Sequence, residues 1–155
     1  MTYRIEGLRR ADFAPLFAMS DAELAAQNAV RVTATGPGYP CRVSLDDAKA
    51  GEQLILLNYT SHDVATPYRS TYAIYVRADA DEIAPLIDAT PPVFEGRPLG
   101  LRAFDVGGML KNAALALPGQ ADAKIRELFA DDNIAYIHAH NAAHGCFSAR
   151  IDRSV

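Results

Sequence analysis

The sequence predicts an α+β fold, a mainly antiparallel sheet with a few short helices packed on it. Two observations carry that expectation. Strand-like segments outnumber helical ones, and most of them are joined by short turns rather than by helical crossovers. The 155 residues are 50% hydrophobic and 22% charged, the profile of one globular domain spanning residues 1–155. No internal repeat, low-complexity tract or long linker divides the chain.

Tyr3 to Leu8 alternates weakly and reads as a first strand. Ala11 to Asn28 is helical in character. Within it, Ser20-Asp21-Ala22-Glu23 has capping-box spacing, so a short helix is expected to start at Asp21. Val30 to Thr33 is β-branched and reads as a strand. A Gly36-Pro37-Gly38-Tyr39-Pro40 loop follows, and Ser44-Leu45-Asp46-Asp47 resembles a further helix cap with acidic first-turn residues. Gln53 to Tyr59 and Tyr68 to Arg77 are apolar or aromatic strands around a polar turn holding His62 and Asp63. Asp81 to Asp88 is read as a short helix that Pro85 ends or bends. Leu99–Val106 and Met109–Leu117 flank Gly107-Gly108 as a hairpin. Gln120 to Ala130 is the clearest helix, with Ile125, Leu128 and Phe129 on one face. Ile134–His140 and Cys146–Ile151 close the chain as two strands.

Net charge is −4, and no run of basic residues is present, which argues against nucleic acid or a membrane surface as partner. No apolar run reaches the length that spans a bilayer, and the start has no secretory pattern, so a cytoplasmic location is expected. Arginine outnumbers lysine twelve to three, a bias explained by composition or by an anionic ligand. Two cysteines cannot build a disulfide framework, although a single Cys41–Cys146 bridge can be drawn.

The chemistry-bearing residues gather at the C-terminal end. Three of the four histidines (His138, His140, His144) and Cys146 fall within nine residues. Strand alternation puts Tyr136, His138 and His140 on one face. His138 and His140 with His144 and Cys146 could form a tetrahedral N/S set for zinc, yet the spacing matches no zinc motif, so no cofactor is favoured. Cys41, beside Arg42 and ahead of the expected helix cap, is a candidate nucleophile, with His140 as base and Asn141 as orienter. Its other reading is a small core residue. Arg42, Arg69, Arg102 and Arg150 sit in or beside strands. Each either pairs with an acid (Asp46, Asp63, Asp105 or Asp152) or converges with others on a carboxylate or phosphate.

The run Gly36-Pro37-Gly38-Tyr39-Pro40-Cys41-Arg42-Val43-Ser44-Leu45-Asp46-Asp47-Ala48 closely resembles the opening motif of a bacterial family called domain of unknown function 1203. The likeness continues through Pro67-Tyr68-Arg69, Leu101-Arg102-Ala103-Phe104-Asp105, His138-Ala139-His140-Asn141-Ala142 and Gly145-Cys146, and so covers nearly the whole chain. The chain departs from the family pattern at Asp63 and across Thr71–Arg77. The resemblance implies a stand-alone bacterial domain and supplies a motif set without assigning a catalytic role.

The resulting expectation is a polar pocket of Cys41, Arg42, Tyr68, Arg69, Arg102, His138, His140 and Asn141 that binds a small, anionic molecule. Two alternatives stand beside it. One is a Cys/His-dependent or metal-assisted hydrolase or transferase; the other is a purely structural motif set that ties the strands together.

Overall fold

The computed structural model describes all 155 residues, and the fold is α+β with antiparallel sheets. The strands are β1 (Thr2–Glu6), β2 (Ala29–Thr33), β3 (Gln53–His62), β4 (Ser70–Arg77), β5 (Leu86–Ile87), β6 (Leu99–Phe104), β7 (Leu110–Ala116), β8 (Tyr136–Asn141) and β9 (Phe147–Ser154). The helices are α1 (Asp21–Ala25) and α2 (Ala121–Phe129). Six strands form one sheet in the order β5-β1-β9-β8-β6-β7, and three form a second, β2-β3-β4. No helix is long and apolar enough to cross a membrane.

Alternation along the large sheet sorts its two faces. Tyr3, Ile5, Leu99, Leu101, Ala103, Ile137, Ala139, Ala149 and Ile151 point to one side. There they pack with Ile125, Leu128 and Phe129 of α2 and with Leu45, Val93 and Phe94. Each fully buried aliphatic or aromatic side chain here contributes roughly 1.5–3 kcal/mol. The other face carries Arg102, Phe104, Tyr136, His138, His140 and Phe147. Part of it lies against the small sheet, where Phe147 joins Phe13, Cys41, Val43, Ile74 and Val76. Covered on both sides, β8 is buried at every position, including its two histidines and Asn141.

The segment Pro40–Asp47 stitches the sheets together. Cys41 forms a parallel bridge with Tyr75 of β4, and Arg42 N donates to Tyr75 O at 3.1 Å. Leu8 N, just past β1, donates to Arg42 O at 2.8 Å, and Val93 N donates to Leu45 O at 3.2 Å. The helix expected from the Ser44–Asp47 cap is therefore absent. Leu45 takes a φ of 54°, its side chain enters the main core, and the Ser44 hydroxyl bonds Asp46 rather than a helix N–H. Burial of Leu45 in the tertiary core overrides a local capping signal.

Three further expectations change. Ala11–Asn28 holds two 3₁₀ turns and only a five-residue α1, though the Ser20/Glu23 capping box forms as its spacing requires. Asp81–Asp88 contains no helix; after Pro85 the chain extends as β5 and pairs Leu86 with Ile5 and Ile87 with Arg4. His62 sits at the buried end of β3, not in an exposed turn. The Gly107-Gly108 hairpin and the α2 helix form where expected, Gly108 adopting a φ of 85°.

Gly7 has a positional reason to be glycine. A Cβ there would lie 2.0 Å from Val43 O, a backbone atom of the stitching segment that cannot rotate away. Gly7→Ala is expected to lower unfolding free energy by at least ~2 kcal/mol, whereas Gly36→Ala, with nothing within 4 Å of its Cβ, stays within about 0.5 kcal/mol. Urea unfolding of the two variants checks both values.

Candidate functional site

Arg42 is the largest of the buried polar side chains, at 2% exposure, and no carboxylate reaches it. Its guanidinium donates through Nε to Phe147 O at 2.8 Å, through Nη1 to Pro40 O at 2.5 Å and through Nη2 to Cys146 Sγ at 3.2 Å. The acid expected as its partner, Asp46, lies instead beside Arg77 and Ser44. Burial pushes the Arg42 guanidinium below its ordinary value, and the Cys146 sulfur opposes that shift.

The β8–β9 turn delivers Cys146 to this cation. Gly145 N donates to Asn141 O at 2.8 Å and Asn141 N to Cys146 O at 2.9 Å, with Gly145 at a φ of 79° that suits glycine. The turn folds Cys146 back beside Asn141, whose Nδ2 donates to Sγ at 3.4 Å. Sγ thus receives two N–H donors, one of them charged. Asn141 Oδ1 is buried without a partner.

Arg42, Asn141, His144 and Cys146 all line a cleft of about 620 Å³. Its other walls are Gly38, Pro40, Arg97 and Pro98 on one side and Leu56, Tyr72, Ala73 and Tyr75 of the small sheet on the other. Arg97 reaches it from the loop before β6, held by Asp47 at 2.7 Å and by Val93 O. The cleft combines a buried cation, an exposed imidazole, an accessible thiol and two phenol rings, and its volume is that of a small-molecule site.

Behind the cleft lies a layer of imidazoles and aromatic rings. His62 Nδ1 donates to Tyr68 O at 2.8 Å, which leaves Nε2 to accept from the Tyr136 hydroxyl at 2.7 Å. His140 Nδ1 donates to Gly145 O at 2.9 Å. His138 packs edge-on against His62, Phe104 and Phe147, and its buried Nδ1 has no partner. Burial, reinforced by the neighbouring His62 and Arg150, lowers His138 to about 3. Burial lowers His140 to about 4, against the opposing bond to Gly145. Both are neutral imidazoles near pH 7, and burial makes His140 a weaker base than a solvated imidazole.

The sequence-derived residues therefore separate. Arg42 and Asn141 meet at the cleft, joined by His144 and Cys146. Cys41 does not: it has 0% exposure, packs among Phe13, Val43, Ile74 and Val76, and its Sγ accepts from Arg77 N at 3.3 Å. That placement removes it as a nucleophile and leaves the core reading. Both cysteines are free thiols. Arg69 pairs with Asp63 at the surface, and Arg150 pairs with Asp152 while lying 4.0 Å over the Tyr136 ring. Arg102 is opposite His138 in the β6–β8 register and has no acid partner, because Asp105 pairs with Lys111. Tyr68 sets its ring near Phe104, outside the cleft. His138, His140, His144 and Cys146 do not converge, for no three His, Cys, Asp or Glu side chains are placed to share a metal ion. Arg97, Tyr72 and Tyr75 belong to the cleft without any signal in the sequence that marks them.

The imidazole layer makes stability depend on pH. With folded-state values below the ordinary 6.5, His138 and His140 refuse protons that the unfolded chain accepts. Their contribution is intact above pH 6.5 and is lost as pH falls toward 4 for His140 and toward 3 for His138. At pH 5 the loss is on the order of 2 kcal/mol per histidine. His138→Leu is expected to remove about half of this dependence, read from urea unfolding at pH 7 and pH 5. An unchanged slope in that variant would contradict the burial account.

No curated protein and no solved structure matches this chain. A family model does: the one described as Protein of unknown function (DUF1203) matches residues 38–153, from the Gly38 loop into β9. The chain belongs to that family.

Proposed function

We propose that the protein binds a small anionic molecule in the cleft between the β8–β9 turn and the small sheet. The observation that carries this reading is Arg42, a buried guanidinium at the cleft wall with no carboxylate to balance it. A buried cation without a counter-charge costs several kcal/mol, and an anion drawn from solution offsets that cost. Arg97, Asn141 and His144 supply further polar groups around the ligand, and Tyr72 and Tyr75 give it an apolar wall.

The polar set is narrower than the one expected from the sequence. Arg69, paired with Asp63 at the surface, and Tyr68 both lie outside the cleft, and Arg102 stands beside His138 rather than in the cleft. A thiol-dependent enzymatic alternative would draw on Cys146 rather than Cys41, since Cys146 lines the cleft and Cys41 is buried. We place the protein in a bacterial cytoplasm; two free thiols suit a reducing compartment, and the family resemblance points to bacteria. A net charge of −4 supports small molecules rather than nucleic acid or anionic membrane as partners.

Thermal denaturation in the presence of a panel of small carboxylates and phosphates tests the reading. At least one compound is expected to raise the melting temperature, with about 2.7 kcal/mol of stabilisation at 100 times its Kd. Arg97→Gln, at a less buried position, should weaken that compound's binding about tenfold. If no carboxylate or phosphate at millimolar concentration shifts the transition, the reading fails.

A further inference from the structure

We infer that Cys146 is a reactive thiol that exchanges with small anionic disulfides, an inference that rests on the cleft being an anion site. Four observations meet at this sulfur. Cys146 is only partly buried and lines a cleft of about 620 Å³. Arg42 Nη2 and Asn141 Nδ2 both donate to it, at 3.2 and 3.4 Å. Asn141 lines the same cleft at 8% exposure with an Oδ1 that has no partner. The guanidinium has no carboxylate, so negative charge on Sγ is its natural complement.

The surroundings select the chemistry. Neither hydrogen bond at Sγ comes from an imidazole or a carboxylic acid. An amine or alkoxide leaving group would need a proton from such a donor, whereas a thiolate leaves as its own anion. In the exchange, the Cys146 thiol first loses its proton to water. The thiolate then attacks one sulfur of the disulfide; a new S–S bond forms as the old one breaks. The electron pair leaves on the departing half as a thiolate, so Cys146 is oxidised to a mixed disulfide and the departing half is reduced. Sγ is then neutral again and Arg42 is once more without a counter-charge. A carboxylate on the retained half restores it, which is why an anionic disulfide is favoured over a cationic one.

Fully reduced protein is incubated with glutathione disulfide or with cystamine, and mixed disulfides are mapped by mass spectrometry. Each rate is normalised to that of the same chain unfolded in urea, so intrinsic reactivity cancels. Cys146 is expected to react about tenfold faster with the anionic reagent than with the cationic one. Cys41, enclosed by the core, remains unmodified in the folded protein. Asn141→Asp, which places a carboxylate beside Sγ, should slow the anionic reaction about tenfold. Equal rates, a cationic preference or an unmodified Cys146 overturns the inference. Cys146→Ser separates the two levels of the account: if glutathione disulfide still raises its melting temperature while wild-type Cys146 stays unmodified, the anion site stands and the thiol chemistry falls. No labelling, together with no stabilisation by glutathione disulfide or by any carboxylate or phosphate of the panel, removes both.

Discussion

The buried guanidinium of Arg42 is the interaction on which the rest depends. It ties Pro40, the first residue of β9 and the thiol of Cys146 into one point where the stitching segment, the small sheet and the β8–β9 turn meet. A neutral side chain could fill the same space, and replacing buried ionic groups by apolar ones is often neutral or favourable for stability. What an apolar residue could not supply is a fixed positive charge at the wall of a cleft. Three donated hydrogen bonds hold that charge in one orientation, and backbone bonds to Tyr75 and from Leu8 hold the residue that carries it.

The surrounding packing fixes that point and keeps the neighbouring imidazoles neutral. β8 is buried on both faces, so its outward-facing partners of the apolar core are Tyr136, His138 and His140, packed under the small sheet. Neutral histidines there avoid adding charge next to Arg42 and Arg102. The thiol, by contrast, sits one turn beyond the strand, where exposure returns. Burial thus divides the histidine- and cysteine-rich segment into a structural part, His138 and His140, and an accessible part, His144 and Cys146.

Much of this was legible in the residues. The period-two pattern of β8 put its histidines on one face, Gly107-Gly108 marked its hairpin, and the spacing of Ser20 and Glu23 marked α1. These signals are local, set by backbone geometry within a few residues. Ser44–Asp47 carried an equally good local signal and misled, because Leu45 is claimed by a core built from distant strands. Asp81–Asp88 misled for a similar reason, its end being recruited to pair with β1. For the site, Arg42 and Asn141 were visible, but the two cysteines exchange roles. Cys41 has a reactive-looking sequence neighbourhood and a core position; Cys146 looked like one ligand of a metal set and instead faces Arg42. Only the packing of β4 and β9 around residues 40–42 decides between them, and no spacing in the chain encodes it. Arg97, Tyr72 and Tyr75 arrive at the cleft through that same packing.

The most direct test of the central claim is an NMR titration that follows the Arg42 Nε–H and Asn141 Nδ2–H₂ resonances as a small dicarboxylate is added. The account predicts saturable shifts concentrated on Arg42, Asn141, Cys146 and Arg97. Saturable shifts confined to the Arg102 and His138 region, with Arg42 and Asn141 unmoved, would contradict it.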